Sequence, residues 1–143
     1  MSWDTVKHHF AGNTMDLIEV WYHGLDNESW TRLFDWLTGR VVWLMSQYGK
    51  EPPAELDLQK FLNGEYSYVA DARCDTGMVL SLTIIEEDML EINVEKEEVQ
   101  TAEQYQQFID SVCEIAEAIG CTDYLICPEF KKDEAFFVNG KEI

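Results

Sequence analysis

Hydrophobic and polar positions alternate most regularly between Tyr66 and Glu95, and this stretch predicts three consecutive antiparallel strands in a meander. Successive side chains on a strand point to opposite faces. Tyr66, Tyr68, Ala70 and Ala72 therefore share one face in the first strand, against Ser67, Val69, Asp71 and Arg73. Cys74-Asp75-Thr76-Gly77 reads as a hairpin connection, because Asp and Gly tolerate the conformations of tight turns. Met78, Leu80, Leu82 and Ile84 then form the apolar face of a central strand. After Glu86-Glu87-Asp88, Leu90, Ile92 and Val94 alternate with Glu91, Asn93 and Glu95, which is the pattern of a sheet with one wet face. The other face needs a cover. Tyr105, Phe108, Val112, Ile115 and Ile119 recur at three- and four-residue intervals, so residues 101–119 predict an amphipathic helix. Thr101 with Gln104 fits a capping box, and Gly120 falls where a left-handed C-terminal cap belongs.

The remaining chain supplies fewer signals. Residues 1–13 predict a short helix with Ser2 as cap, and Met15–His23 a strand with Ile18, Val20 and Tyr22 opposite Leu17, Glu19, Trp21 and His23. Trp30, Leu33, Phe34 and Leu37 make the stripe of a helix at about 27–38, capped by Asp26 or Asn27 and closed by Gly39, with Trp36 at the margin of the stripe. Val41–Gln47 reads as a strand, although its continuous apolar character also fits a buried helix, and Tyr48–Pro53 as a loop broken by paired prolines. A short helix at Asp57–Asn63, a strand at Asp123–Cys127 and a last strand over Ala135–Val138 before the Asn139-Gly140 turn complete the expectation. The sum is an α+β fold in one domain, residues 1–143, with a mainly antiparallel sheet and the two principal helices on one face.

Composition sharpens this picture. The chain has 143 residues and is 46% hydrophobic, so it can bury a sizeable core. No run approaches the length of a membrane span, and the start lacks the apolar core of a secretion signal, so a cytoplasmic location is expected. Twenty-eight Asp and Glu against ten Lys and Arg leave a net charge of −18. That argues against nucleic acid and anionic membranes as partners, since phosphate binding relies on clustered cations. The acids are densest where Glu86, Glu87, Asp88, Glu91, Glu95, Glu97, Glu98 and Glu103 face Lys96 alone. Acids there keep a protein soluble and guard a sheet edge, and they also form a surface suited to a basic protein partner.

Catalytic signatures are sparse. Asp75-Thr76-Gly77 matches the D-T-G of aspartic proteases, but one copy stands where two are needed and no apolar run precedes it; hairpin chemistry explains the same letters. Cys74, Cys113, Cys121 and Cys127 show no C-x-x-C spacing, and His8, His9 and His23 no ligand spacing. Free thiols, no metal, no cofactor and no enzymatic activity are expected. Of five tryptophans, Trp30 and Trp43 are expected in the core, and Trp21 and Trp36 are the candidates for exposed interface anchors.

A small, strongly acidic α+β chain rich in aromatics, closing on AFFVNGKEI, resembles the immunity proteins that bacteria pair with polymorphic or contact-dependent toxins. The resemblance implies an inhibitor that docks on a basic toxin domain, often a nuclease. Glu86, Glu87, Asp88, Glu91, Glu95, Glu97 and Glu98 would then supply charge, and Trp21 or Trp36 a desolvated anchor. Two other classes fit the residues: a homo-oligomeric adaptor, and a small ligand-binding protein or enzyme with a pocket formed by Trp21, His23 and a carboxylate.

Overall fold

The computed structural model describes residues 3–12 and 15–143. An N-terminal turn of helix, α1 (Trp3–Val6), runs into a 3-10 turn at Lys7–Phe10 and buries Val6 and Phe10; the expected cap, Ser2, lies outside the described residues. Strand β1 (Leu17–His23) follows, then helix α2 (Asn27–Leu37), strands β2 (Val41–Ser46) and β3 (Gly49–Glu51), and the short helix α3 (Leu58–Leu62). The meander consists of β4 (Tyr68–Arg73), β5 (Val79–Ile84) and β6 (Met89–Glu95). Helix α4 (Ala102–Ile119) leads to β7 (Tyr124–Pro128) and to two closing strands, β8 (Phe137–Val138) and β9 (Lys141–Glu142).

All nine strands join one antiparallel sheet in the order β3-β2-β4-β5-β6-β1-β7-β8-β9. The meander is extended on one side by β2 and on the other by β1, which inserts between β6 and β7. Strands from both sides of the Pro52-Pro53 break thus pair with each other. The sheet has a covered face and an open one. Ile18, Val20, Tyr22, Leu44, Tyr68, Ala70, Ala72, Leu80, Leu82, Ile84, Leu90, Ile92, Val94 and Ile126 are buried beneath α2 and α4. The helices contribute Trp30, Leu33, Phe34 and Leu37 from one and Tyr105, Phe108, Val112, Ile115 and Ile119 from the other.

Local chemistry fixes the ends of both helices. The Asp26 carboxylate accepts from the Ser29 N–H at 2.9 Å while the Ser29 hydroxyl accepts from the Asp26 N–H, a reciprocal capping box. Thr101 Oγ1 accepts from the Gln104 N–H at 3.1 Å, but the Gln104 side chain reaches one residue further back than expected, to the Gln100 N–H. Gly120 closes α4 at φ 69°, ψ 30°. Two polar bonds tie the helical layer to the sheet and its β5–β6 turn: the buried Tyr22 hydroxyl donates to the Val112 carbonyl at 2.7 Å, and the Trp30 indole N–H donates to the Glu87 carbonyl.

Two expectations need correction. The Tyr48–Pro53 segment is not wholly loop, since Gly49–Glu51 forms the edge strand β3 opposite Leu44–Ser46. Trp43 is not a core residue. A register shift at Val42 separates Val41, opposite Ala72, from Trp43, opposite Asp71; the bulged residue flips the alternation. Trp43 therefore lies half-buried on the open face. Among the described residues, no helix is long and apolar enough to cross a membrane.

Candidate functional site: the open sheet face

Register places two rows of side chains across the open face, because directly paired residues on neighbouring strands share a face. One row runs Met45, Val69, Thr83, Glu91, Trp21 and Leu125. The next runs Trp43, Asp71, Ser81, Asn93, Glu19 and Cys127. Neither α2 nor α4 covers either row; the segment after β7, with a 3-10 turn at Lys132–Glu134, folds over the β7 end of them. Except for Glu19 and Cys127, which are buried, these side chains are half-buried or exposed.

Glu19 is the structural centre. Although only 4% exposed, it carries a carboxylate in the open-face row. Its Oε1 accepts from the backbone N–H of Phe130 at 3.0 Å and from the Trp21 indole N–H at 3.3 Å, and lies 3.9 Å from Cys127 Sγ. Diagonally across the β1–β6 pair, Glu91 shares a hydrogen bond with it. Burial, that bond and the neighbouring negative charge push the Glu91 carboxyl up to about 7, against the pull of Asn93 and Lys132. At neutral pH Glu91 therefore holds part of a proton that an exposed glutamate has lost.

Lys132, from the segment between β7 and β8, folds back over the sheet. Its ammonium lies 3.9 Å above the centre of the Trp21 ring and 3.1 Å from His23 Nε2, while the His23 ring stacks beside Trp21. Trp21, His23 and two carboxylates thus do come together, on an open surface roofed by one lysine. Cys121 approaches His23 too, but its thiol donates to the His23 carbonyl at 3.4 Å, not to the imidazole. Burial raises the Cys74 and Cys127 thiols to about 11 and about 12, which keeps both protonated at neutral pH.

The acidic residues expected at a partner surface fall into three places. Glu86, Glu87 and Asp88 are exposed in the β5–β6 turn, beside the start of α2, where the Leu25 N–H donates to the Asp88 carbonyl. Glu91 and Glu95 lie on the open face. Glu97 and Glu98 follow in a 3-10 turn at the far end of β6, about 20 Å from the first group at the rise of an extended strand. A hydrogen bond donated by the Glu95 carboxyl to Glu97, then the charge of Glu97, raises Glu95; burial, then the charge of Glu95, raises Glu98. Glu95 and Glu98 line an open groove of about 390 Å³ with Leu17, Asp71, Val79, Ser81 and Asn93.

Trp36 stands apart from all of these. It lies in the helical layer, where its indole N–H donates to Glu114 Oε2 at 3.1 Å and the Arg40 guanidinium sits 4.6 Å over its ring. Arg40 also pairs with Asp75 at 2.8 Å, and Thr76 Oγ1 lies 2.7 Å from Ser111 Oγ on α4. Asp75-Thr76-Gly77 is accordingly a hairpin turn anchored to α4.

Sequence reasoning passes over Glu19, Phe130 and Lys132. The strand pattern puts Glu19 beside Trp21 but gives no sign that it is buried. Phe130 is 88% exposed with φ 60°, an unusual backbone conformation for a bulky residue. No sequence signal marks it.

Comparison with known proteins adds a likeness of shape. No family model and no curated protein matches the chain in sequence. A solved structure similar in fold is a chain of the 1.75 Å crystal structure of the toxic C-terminal tip of CdiA from Pseudomonas aeruginosa in complex with immune protein. The two align with a TM-score of 0.61 over 90% of this chain and 97% of that one, at 12% identity. The likeness is one of fold. That crystal holds two proteins, a toxin tip and its immune partner, and the match is to one of them.

Proposed function

We propose that this chain is an immunity-type inhibitor that neutralises a basic toxin domain by binding it directly. The observation that carries the reading is the charge of −18 on a fold similar to one found in a toxin–immunity complex. A toxin that acts on nucleic acid needs a cationic surface, whereas its inhibitor gains speed and selectivity from the opposite sign. The sign of the charge supports the inhibitor half of such a pair.

The test is co-expression in bacterial cells with the candidate toxin, the protein encoded by the gene next to this chain's own. Induction of the toxin domain alone arrests growth, and this chain restores it and co-purifies with the toxin in equal amounts. Growth arrest by this chain alone would place it on the toxin side. Failure to bind or protect against the neighbouring toxin would overturn the inhibitor reading.

A further inference from the structure

The reading just given leaves open which surface meets the partner, and three features single out one. The open sheet face carries Trp21, Trp43 and Met45, residue types enriched at the centre of protein interfaces, with Val69, Leu125 and carboxylates among them. Its charge is also matched only in part, by the Lys132 ammonium that pulls on Glu91. Among the described residues, none of the ion pairs includes Glu19, Asp71, Glu91, Glu95 or Glu98. The cations of this face, Lys50, Arg73 and Lys132, stand at its margins or above it. A second copy of this chain would bring the same sign of charge against it, so charge complementarity selects a basic occupant. The third feature is Phe130. A solvated phenyl ring on a left-handed backbone gains nothing from intramolecular packing, yet its N–H is tied to Glu19, which sets the ring at the edge of the carboxyl pair.

We propose that the open sheet face is the docking surface for the basic toxin domain, with Phe130 as its apolar anchor and the Glu19–Glu91 pair as the seat of a cationic side chain. A guanidinium inserted there forms hydrogen bonds with both carboxylates and ends the repulsion between them. Lys132 swings off Trp21 or stays as the rim of the contact.

The test uses the same neighbouring toxin domain and rests on the inhibitor reading. Phe130→Gly removes the ring and suits the left-handed backbone, so affinity falls by about 30-fold or more, the scale of a hot spot, without any loss of thermal stability. Glu91→Gln weakens binding about tenfold at low salt and much less at high salt. Glu103→Gln and Glu117→Gln, on the exposed side of α4, leave affinity within about twofold. Indole resonances give a readout independent of any variant: those of Trp21 and Trp43 shift on binding, and those of Trp30 and Trp36 stay. If the toxin binds but shifts Trp36, or tolerates both face variants, this proposal falls while the inhibitor reading stands. If no toxin binds, both fall. Concentration-dependent shifts of Trp21 and Trp43 without toxin would name a second copy as the occupant and overturn the proposal.

Discussion

Replacing Glu91 by Gln should make the protein more stable at alkaline pH and leave it unchanged under acid conditions. Folding raises the Glu91 carboxyl from its ordinary 4.5 to about 7, through burial first and through its bond to Glu19 second. Between those values the folded chain holds a proton that the unfolded chain has released. Stability from this group is therefore full below about 4.5 and is lost as the pH rises through about 7. At about 1.4 kcal/mol per pH unit the ceiling is about 3 kcal/mol. Glu91 is only half-buried on the open face, so solvent screening reduces this to about 1 kcal/mol. The amide of the Glu91→Gln variant reproduces the protonated state at every pH by donating to Glu19.

The assay is denaturant unfolding of both proteins from about pH 5 to about pH 8. The charged and titrating groups around Glu91 are Glu19 and His23 on β1 and Lys132 above the sheet; β5 presents the neutral Thr83, and β6 itself Asn93. Repeating the comparison in a His23→Gln background removes the imidazole from the readout. We expect the curves to meet near pH 5 and to separate by about 1 kcal/mol at pH 8, or about 2–4 °C in Tm for a chain of this size. A difference that does not change with pH, or a variant less stable than its parent at pH 8, would refute the shared proton.

Three further substitutions test the layer beneath. Trp30→Ala, at a fully buried indole packed edge-on against Phe61, should cost about 3–5 kcal/mol by chemical denaturation. Tyr22→Phe removes only the hydroxyl bonded to the Val112 carbonyl and should cost about 1 kcal/mol, with no change in the denaturant slope. Gly120→Ala places a methyl on a left-handed backbone and 2.8 Å from Arg32 Nη1. The flexible guanidinium moves away from Glu28, so the loss should stay at about 1 kcal/mol and come mainly from the backbone, which a melting curve in high salt distinguishes from a lost ion pair.

What can be read in the sequence is whatever repeats locally. The meander and the α4 stripe announce themselves because each buries one face at a fixed period, and Asp26, Thr101 and Gly120 mark ends through bonds within a few residues. Lys50 and Lys141 sit in strands too short to show a period, and β3 and β9 are held by the neighbour they pair with. Pattern alone misplaces Trp43 because Val41-Val42-Trp43-Leu44-Met45 is apolar throughout, so nothing in the letters reveals the bulge. The candidate surface is half legible: alternation sets Glu19, Trp21 and His23 on one face of β1 and Glu91 on one face of β6. That these strands are neighbours depends on pairing between distant parts of the chain, Trp21 with Glu91, which no local pattern encodes.

The same non-local pairing separates two explanations of the acidity. Solubility requires only that carboxylates be numerous and exposed, a condition met by Glu86, Glu87, Asp88, Glu103 and Glu117. It does not require a glutamate 4% exposed with a second one hydrogen-bonded to it, an arrangement that lowers stability at neutral pH. Nor does it call for a solvated Phe130 held by that glutamate on a left-handed backbone. The first acts against the isolated fold on the sheet face that α2 and α4 leave bare, and the second leaves a phenyl ring unpacked beside that face, in the turn after β7. On the docking proposed above, a cationic, partly apolar partner would reverse both at once: it would supply the charge that the carboxyl pair lacks and the packing that the phenyl ring lacks. The surplus carboxylates elsewhere then act at longer range, drawing the partner in before contact, and salt should slow association more than it speeds release.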